Sequence, residues 1–199
     1  MHKNAIKVAV HTYILIGLVV ATTTLAACNS ATDAKQNNVP KDITMHEQTT
    51  TDTAAFSVKE IIANYLQVKN ALAKDNAKDA ATAATTMVAI LDKINKASLL
   101  ANQLKTYNEL QDDIKENAEH IGANADKIEH QREHFEMLSK DIADLIKTFG
   151  NGGQTLYKDF CPMANDGKGA IWISEIKAIK NPYLGKKMPT CGSVKEEIK

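Results

Sequence analysis

Four sulfur side chains near the C-terminus, Cys161, Met163, Met188 and Cys191, are the residues here best suited to chemistry. They fall in two short runs, Cys161-Pro-Met163 and Met188-Pro-Thr-Cys191, each holding a proline that stiffens the chain beside a sulfur. Thiolate and thioether sulfurs are soft donors, which select Cu(I) and similar ions over calcium or magnesium. A second feature lies upstream. His130, His134 and Met137 stand at i, i+4 and i+7, so at about 100° per residue they share one narrow sector of a helix. Two imidazoles four residues apart can bind one metal ion. For His130 the plainer reading is a solvated face, because Glu129, Arg132, Glu133 and Glu136 surround it. His134 is the stronger ligand candidate, since the C-terminal segment has to pack against some flank of this helix. His120, beside the end of the preceding helix, reads as a surface residue.

The two cysteines leave two readings open. As thiolates, Cys161 and Cys191 would join Met163, Met188 and His134 around a soft cation. As a disulfide they would close a loop of about 30 residues, which stabilises by roughly 3–4 kcal/mol in the chain-entropy treatment. The disulfide would still leave His134, Met163 and Met188 as a His-Met set that suits Cu(I). Zinc held by two cysteines and a histidine is a further chemistry these residues allow. Sequence alone does not decide cysteine pairing.

The N-terminus points to a compartment. Lys3 and Lys7 precede an apolar run from Tyr13 to Ala21, too short to span a bilayer and typical of a secretion signal. Leu25-Ala26-Ala27-Cys28 closely resembles the bacterial lipoprotein cleavage box, in which the cysteine becomes the lipid-bearing first residue. The expectation is a signal peptide over 1–27, lipidation at Cys28 and a membrane anchor that does not span the membrane. Asn29 is not an acidic retention signal, so the outer membrane, facing the periplasm, is the expected location. Residues 28–55 are rich in Thr, Asn, Asp and Gln with little to bury, and read as a tether. Met45 and His46 within it read as incidental.

The elements that must position the candidates follow from periodicity. Ser57-Val-Lys-Glu60 matches a capping box, flanked by Phe56 and Ile61 as a hydrophobic staple. A first helix then runs to about Lys74, and Asn76 can cap a second with an apolar stripe from Ala80 to Ile94. In that stripe Met87 is a core residue. A third helix is expected from about Ala97 to Ile121 with Gly122 as its stop, and a fourth from about Ala125 to Phe149, closed by Gly150. Four amphipathic helices with short connections make an antiparallel bundle over 56–150. Residues 151–199 belong to the same domain: Leu156–Cys161 and Ala170–Ser174 have strand character around an Asn165–Gly169 turn, which predicts a β-hairpin. A lone hairpin is marginal, so Trp172, Tyr157 and Tyr183 must bury against the bundle. The fold class is therefore mainly α, a four-helix bundle carrying a C-terminal hairpin and turn-rich segment.

From about Glu60 to Ile198 the chain resembles an uncharacterised bacterial domain family. That family occurs in stand-alone envelope lipoproteins and fused to the C-terminus of CusB-type heavy-metal efflux adaptor proteins. The resemblance is carried by His130-Gln-Arg-Glu-His134-Phe135, Leu138-Ser139, Cys161-Pro-Met163, Trp172 with Ser174, Asn181-Pro-Tyr183 with Gly185, and Met188 with Cys191-Gly192. It implies binding of copper, silver or a related ion during efflux or resistance, with an efflux adaptor as partner, and here a stand-alone binder.

Composition bounds the remainder. Apolar residues at 44% and charged residues at 24% suit a globular domain, and a net charge of zero gives no electrostatic argument for nucleic acid. Removing 1–27 leaves 22 basic against 24 acidic residues. No paired carboxylate in a turn, nucleophile elbow or phosphate-binding glycine loop is present, so an enzyme is not expected. The expectation is an envelope lipoprotein that buffers or hands over a soft metal ion, copper as Cu(I) first, with silver or zinc as alternatives. Its rival is a protein-interaction module stapled by a Cys161–Cys191 disulfide.

Overall fold

A computed structural model describes residues 56–199. The signal peptide, the Cys28 lipidation site and the tether with Met45 and His46 lie outside the described residues. The elements run α1 (Lys59–Ala73), α2 (Ala77–Leu91), α3 (Ala101–Ala123), α4 (Ile128–Phe149), β1 (Leu156–Cys161), β2 (Ala170–Ser174), a 3-10 turn at Gly185–Lys187, and β3 (Ser193–Ile198). Consecutive helices pack side by side, and the sheet lies on α4 chiefly through β2. The expected bundle and hairpin are both present.

Local chemistry explains most element ends. The Asn76 side chain accepts from Asp79 N at 3.1 Å and starts α2. Gly150, with φ of 89°, ends α4 in a conformation that side-chain-bearing residues rarely adopt. Two expectations need correction. The Ser57 capping box does not form as drawn: Val58 is the N-cap of α1, and Ser57 Oγ accepts from Lys59 N instead. Phe56 packs edge-on to Tyr107 at 5.0 Å and against Phe149 at 5.2 Å, tertiary aromatic contacts beyond any local staple. Gly122 is not a stop but lies inside α3, where a Cβ would come within 2.8 Å of Thr85 Oγ1. Its bare backbone is what lets α3 approach α2.

β3 was not anticipated. Its sequence Ser-Val-Lys-Glu-Glu-Ile is largely polar and exposed, so it carries no core signal. It pairs antiparallel with β1 on the edge opposite β2, giving the order β2-β1-β3. Charged residues on such an edge discourage further strand addition.

Polar contacts tie the sheet and the tail to the helices. The fully buried Lys69 of α1 donates to Glu175 Oε2 at 2.7 Å, and Asn70 donates to Glu175 Oε1 at 2.8 Å. Ile173 N donates to Tyr65 Oη at 3.0 Å, and Tyr65 shares a 2.8 Å hydrogen bond with Ser139. Arg132 of α4 donates to Pro182 O, to Leu72 O and to Asp75. Trp172 and Tyr183 are buried with Phe135 and Tyr65 in one aromatic core, each such side chain stabilising by about 2 kcal/mol or more. Tyr157 is only half-buried.

Candidate metal centre

The antiparallel α3–α4 hairpin brings three histidines together where α3 ends and α4 begins. One nitrogen each from His120, His130 and His134 lies within 4.8 Å of the others, and they are the one such set of three or more His, Cys, Asp or Glu among the described residues. The His120 and His134 rings stack at 4.1 Å with planes 3° apart, and the His130 ring stands nearly perpendicular to His134 at 4.7 Å. A tetrahedral ion with metal–nitrogen bonds of 2.0–2.1 Å needs its nitrogens about 3.3 Å apart. The set is therefore slightly open. His120 is exposed and His130 partly so, which leaves both side chains room to swing inward.

Hydrogen bonds define which nitrogens are free. Asn117 Nδ2 donates to Asp113 O at 3.0 Å and to Asp141 Oδ2 at 3.2 Å. That orientation leaves Asn117 Oδ1 as an acceptor for His134 Nδ1–H at 3.2 Å. His130 Nδ1–H likewise donates to the Glu133 carboxylate at 3.0 Å. Both rings are thereby set to offer Nε2, the arrangement in which an outer partner orients a metal-binding histidine. Partial burial, followed by the charges of His120 and His130, pushes the His134 pKa down. A histidine that stays neutral is one ready to bind metal.

The sulfur candidates occupy other places. Cys161 Sγ and Cys191 Sγ lie 2.6 Å apart, joining the end of β1 to the residue two before β3. Neither sulfur makes a set of the histidine kind with a third His, Asp or Glu. The Cys161 contact, then burial, pushes the Cys191 thiol up, so it is not a ready thiolate. Met137 sits on α4 with 42% exposure and Met163 just after β1 with 55%; both line one cavity of about 390 Å³. Met137 also lines the smaller hollow that contains His134. Met188 follows the 3-10 turn and is exposed at 38%.

The structure thus assembles the cysteines with each other, and His130 and His134 with His120. His120 is exposed as expected, yet it is the third member of the cluster. Counting back from the short 124–127 turn would have found it, because an antiparallel hairpin puts residue 120 opposite residues 130–134. The α4 residues that hold the tail are Arg132 and Phe135, whereas His134 contacts α3.

Residues 61–154 match a protein family of unknown function (DUF3347). The match spans the four helices and includes all three histidines and Met137, but stops before the cysteines, Met163 and Met188. This stretch is an uncharacterised domain. No curated protein and no solved structure matches the chain.

Proposed function

We propose that this protein binds a transition-metal ion through His120, His130 and His134, as a cell-envelope lipoprotein that buffers copper or hands it to an efflux partner. The observation that carries the reading is the convergence of one imidazole nitrogen from each of three histidines within 4.8 Å, in two of which Nδ1 is hydrogen-bonded so that Nε2 is left to accept a metal. Imidazole suits copper and zinc, and three protein ligands leave a coordination position open for exchange with a partner. Copper is the first choice, with silver and zinc as competitors. Cys28 would anchor the protein to the outer membrane, facing the periplasm.

The test is competitive titration of the full chain with copper and zinc against a chelator of known affinity. One histidine-dependent ion per chain at micromolar affinity or better is expected, its affinity falling roughly tenfold or more in a His120→Ala/His134→Ala double variant. Equal affinity in the double variant would remove the histidine site. A second reading, a protein-interaction module without metal, is favoured by the facing sulfurs of Cys161 and Cys191. A count of free thiols on protein taken from the envelope separates stapled from reduced protein.

A further inference from the structure

Leucine, isoleucine and aromatic side chains are buried or half-buried at every described position except Leu100 and Ile176, but methionine is not. Of the described methionines only Met87 is fully buried, whereas Met137, Met163 and Met188 are three of the five large apolar side chains left exposed. A flexible thioether sulfur left at a surface is available as a soft ligand.

Two of the three border one cavity. Met137, from the middle of α4, and Met163, from the turn after β1, line the same cavity of about 390 Å³. Glu129, Glu133, Glu136 and Asp166 also line it against a single lining cation, Arg132, which Asp75 holds at 2.6 Å, while Lys140 pairs with Glu136 at 2.6 Å from outside the lining. The lining is therefore net negative. It is large enough for a partly hydrated ion. Met137 additionally borders the hollow that holds His134, so the same thioether faces both regions.

We infer that Met137 and Met163 form a second, thioether subsite that takes a soft monovalent cation, Cu(I) or Ag(I), separately from the histidine cluster. The subsite goes beyond the proposed histidine site and does not depend on it. Two neutral sulfurs supply soft donors, and the surrounding carboxylates favour a positive ion over an anion. Because Met137 also borders the hollow that holds His134, the placement suits stepwise ligand exchange between the two sites.

The test is NMR of the full chain labelled at methionine methyl carbons and titrated with silver nitrate in chloride-free buffer, past the capacity of the thiols. The Met137 and Met163 methyl signals are expected to move together along one binding curve while Met87 stays fixed. Met137→Leu, which conserves volume, should shift the Met163 response to roughly tenfold higher silver or more, since losing a ligand costs at least what losing its outer partner does. His120→Ala/His134→Ala should leave both responses in place. An unmoved pair of signals, or a Met163 response unchanged by Met137→Leu, overturns the subsite. Loss of both responses in the histidine variant shows one joint site instead and equally overturns it. Failure of copper to bind the histidines in the earlier titration would leave these signals unaffected, so the two ideas fail separately.

Discussion

Asn117 shows how much of the candidate centre depends on a residue that would not itself touch a metal. Its amide donates on one side to Asp113 O and Asp141, and accepts on the other from His134. The Asp141 carboxyl, raised to about 6 by burial and then by Asp113, is held against that amide. Replacing Asn117 with Leu removes the acceptor and frees the His134 ring to adopt either tautomer. Metal affinity in a competition titration should fall roughly 10- to 100-fold, the usual cost of a lost outer partner. Asn117→Asp, which keeps the acceptor but sets a second carboxyl against Asp113 O and Asp141, should recover only part of it. Identical affinities in both variants would show that the amide does not orient the ligand.

At the scale of elements, the sheet is attached to α1 by a charge taken fully out of water. Lys69 is 0% exposed and meets Glu175, which is partly exposed. Burial pushes the lysine pKa down while Glu175 opposes the shift. Removing one partner of such a pair is worse than removing the charge itself, because the remaining ion loses its compensation. Glu175→Ala is therefore expected to cost about 3 kcal/mol in chemical denaturation. Lys69→Met, which leaves Glu175 with Asn70 and some solvent, should cost less, about 1 kcal/mol. The reverse order would mean that the pair is not what fixes β2 and the following turn to α1. The same element scale explains Gly122: its missing Cβ is a helix–helix contact with Thr85, not a helix terminator.

At the scale of the whole molecule, the pH dependence of stability should carry contributions from two carboxyls raised by burial, Asp141 and Asp159. Asp159 on β1 is fully buried, and neither oxygen is hydrogen-bonded. The Trp172 indole lies beside it without reaching hydrogen-bond geometry. Burial raises its pKa from 3.8 to about 6, with Lys69 opposing. In the interval between those values the folded state holds the proton and the unfolded state has lost it. Stability from this group therefore falls as pH rises from 3.8 to about 6 and stays lower above that. Asp159→Asn should remove that slope and stabilise the protein at pH 7 by about 1–2 kcal/mol, less than the full linkage value because an amide there also lacks partners. Thermal melts of the two proteins from pH 4 to 8 should diverge as pH rises. Parallel profiles would contradict the assignment.

The sequence by itself determined the helices, the hairpin and two of the three aromatic residues expected to seat it, Trp172 and Tyr183, because each depends on local periodicity, a cap or a turn. Asn76 as a cap, Gly150 as a stop and Trp172 as a core residue needed no neighbour to be recognised. Only the tertiary structure decided which chemical groups meet. His120 becomes the partner of His130 and His134 because two helices fold back on a four-residue turn, and ligand convergence depends on spatial rather than sequential separation. Gly122 and β3 escaped for the same reason: a close helix approach and a polar edge strand are defined by what lies opposite them, and a one-dimensional pattern carries no record of that.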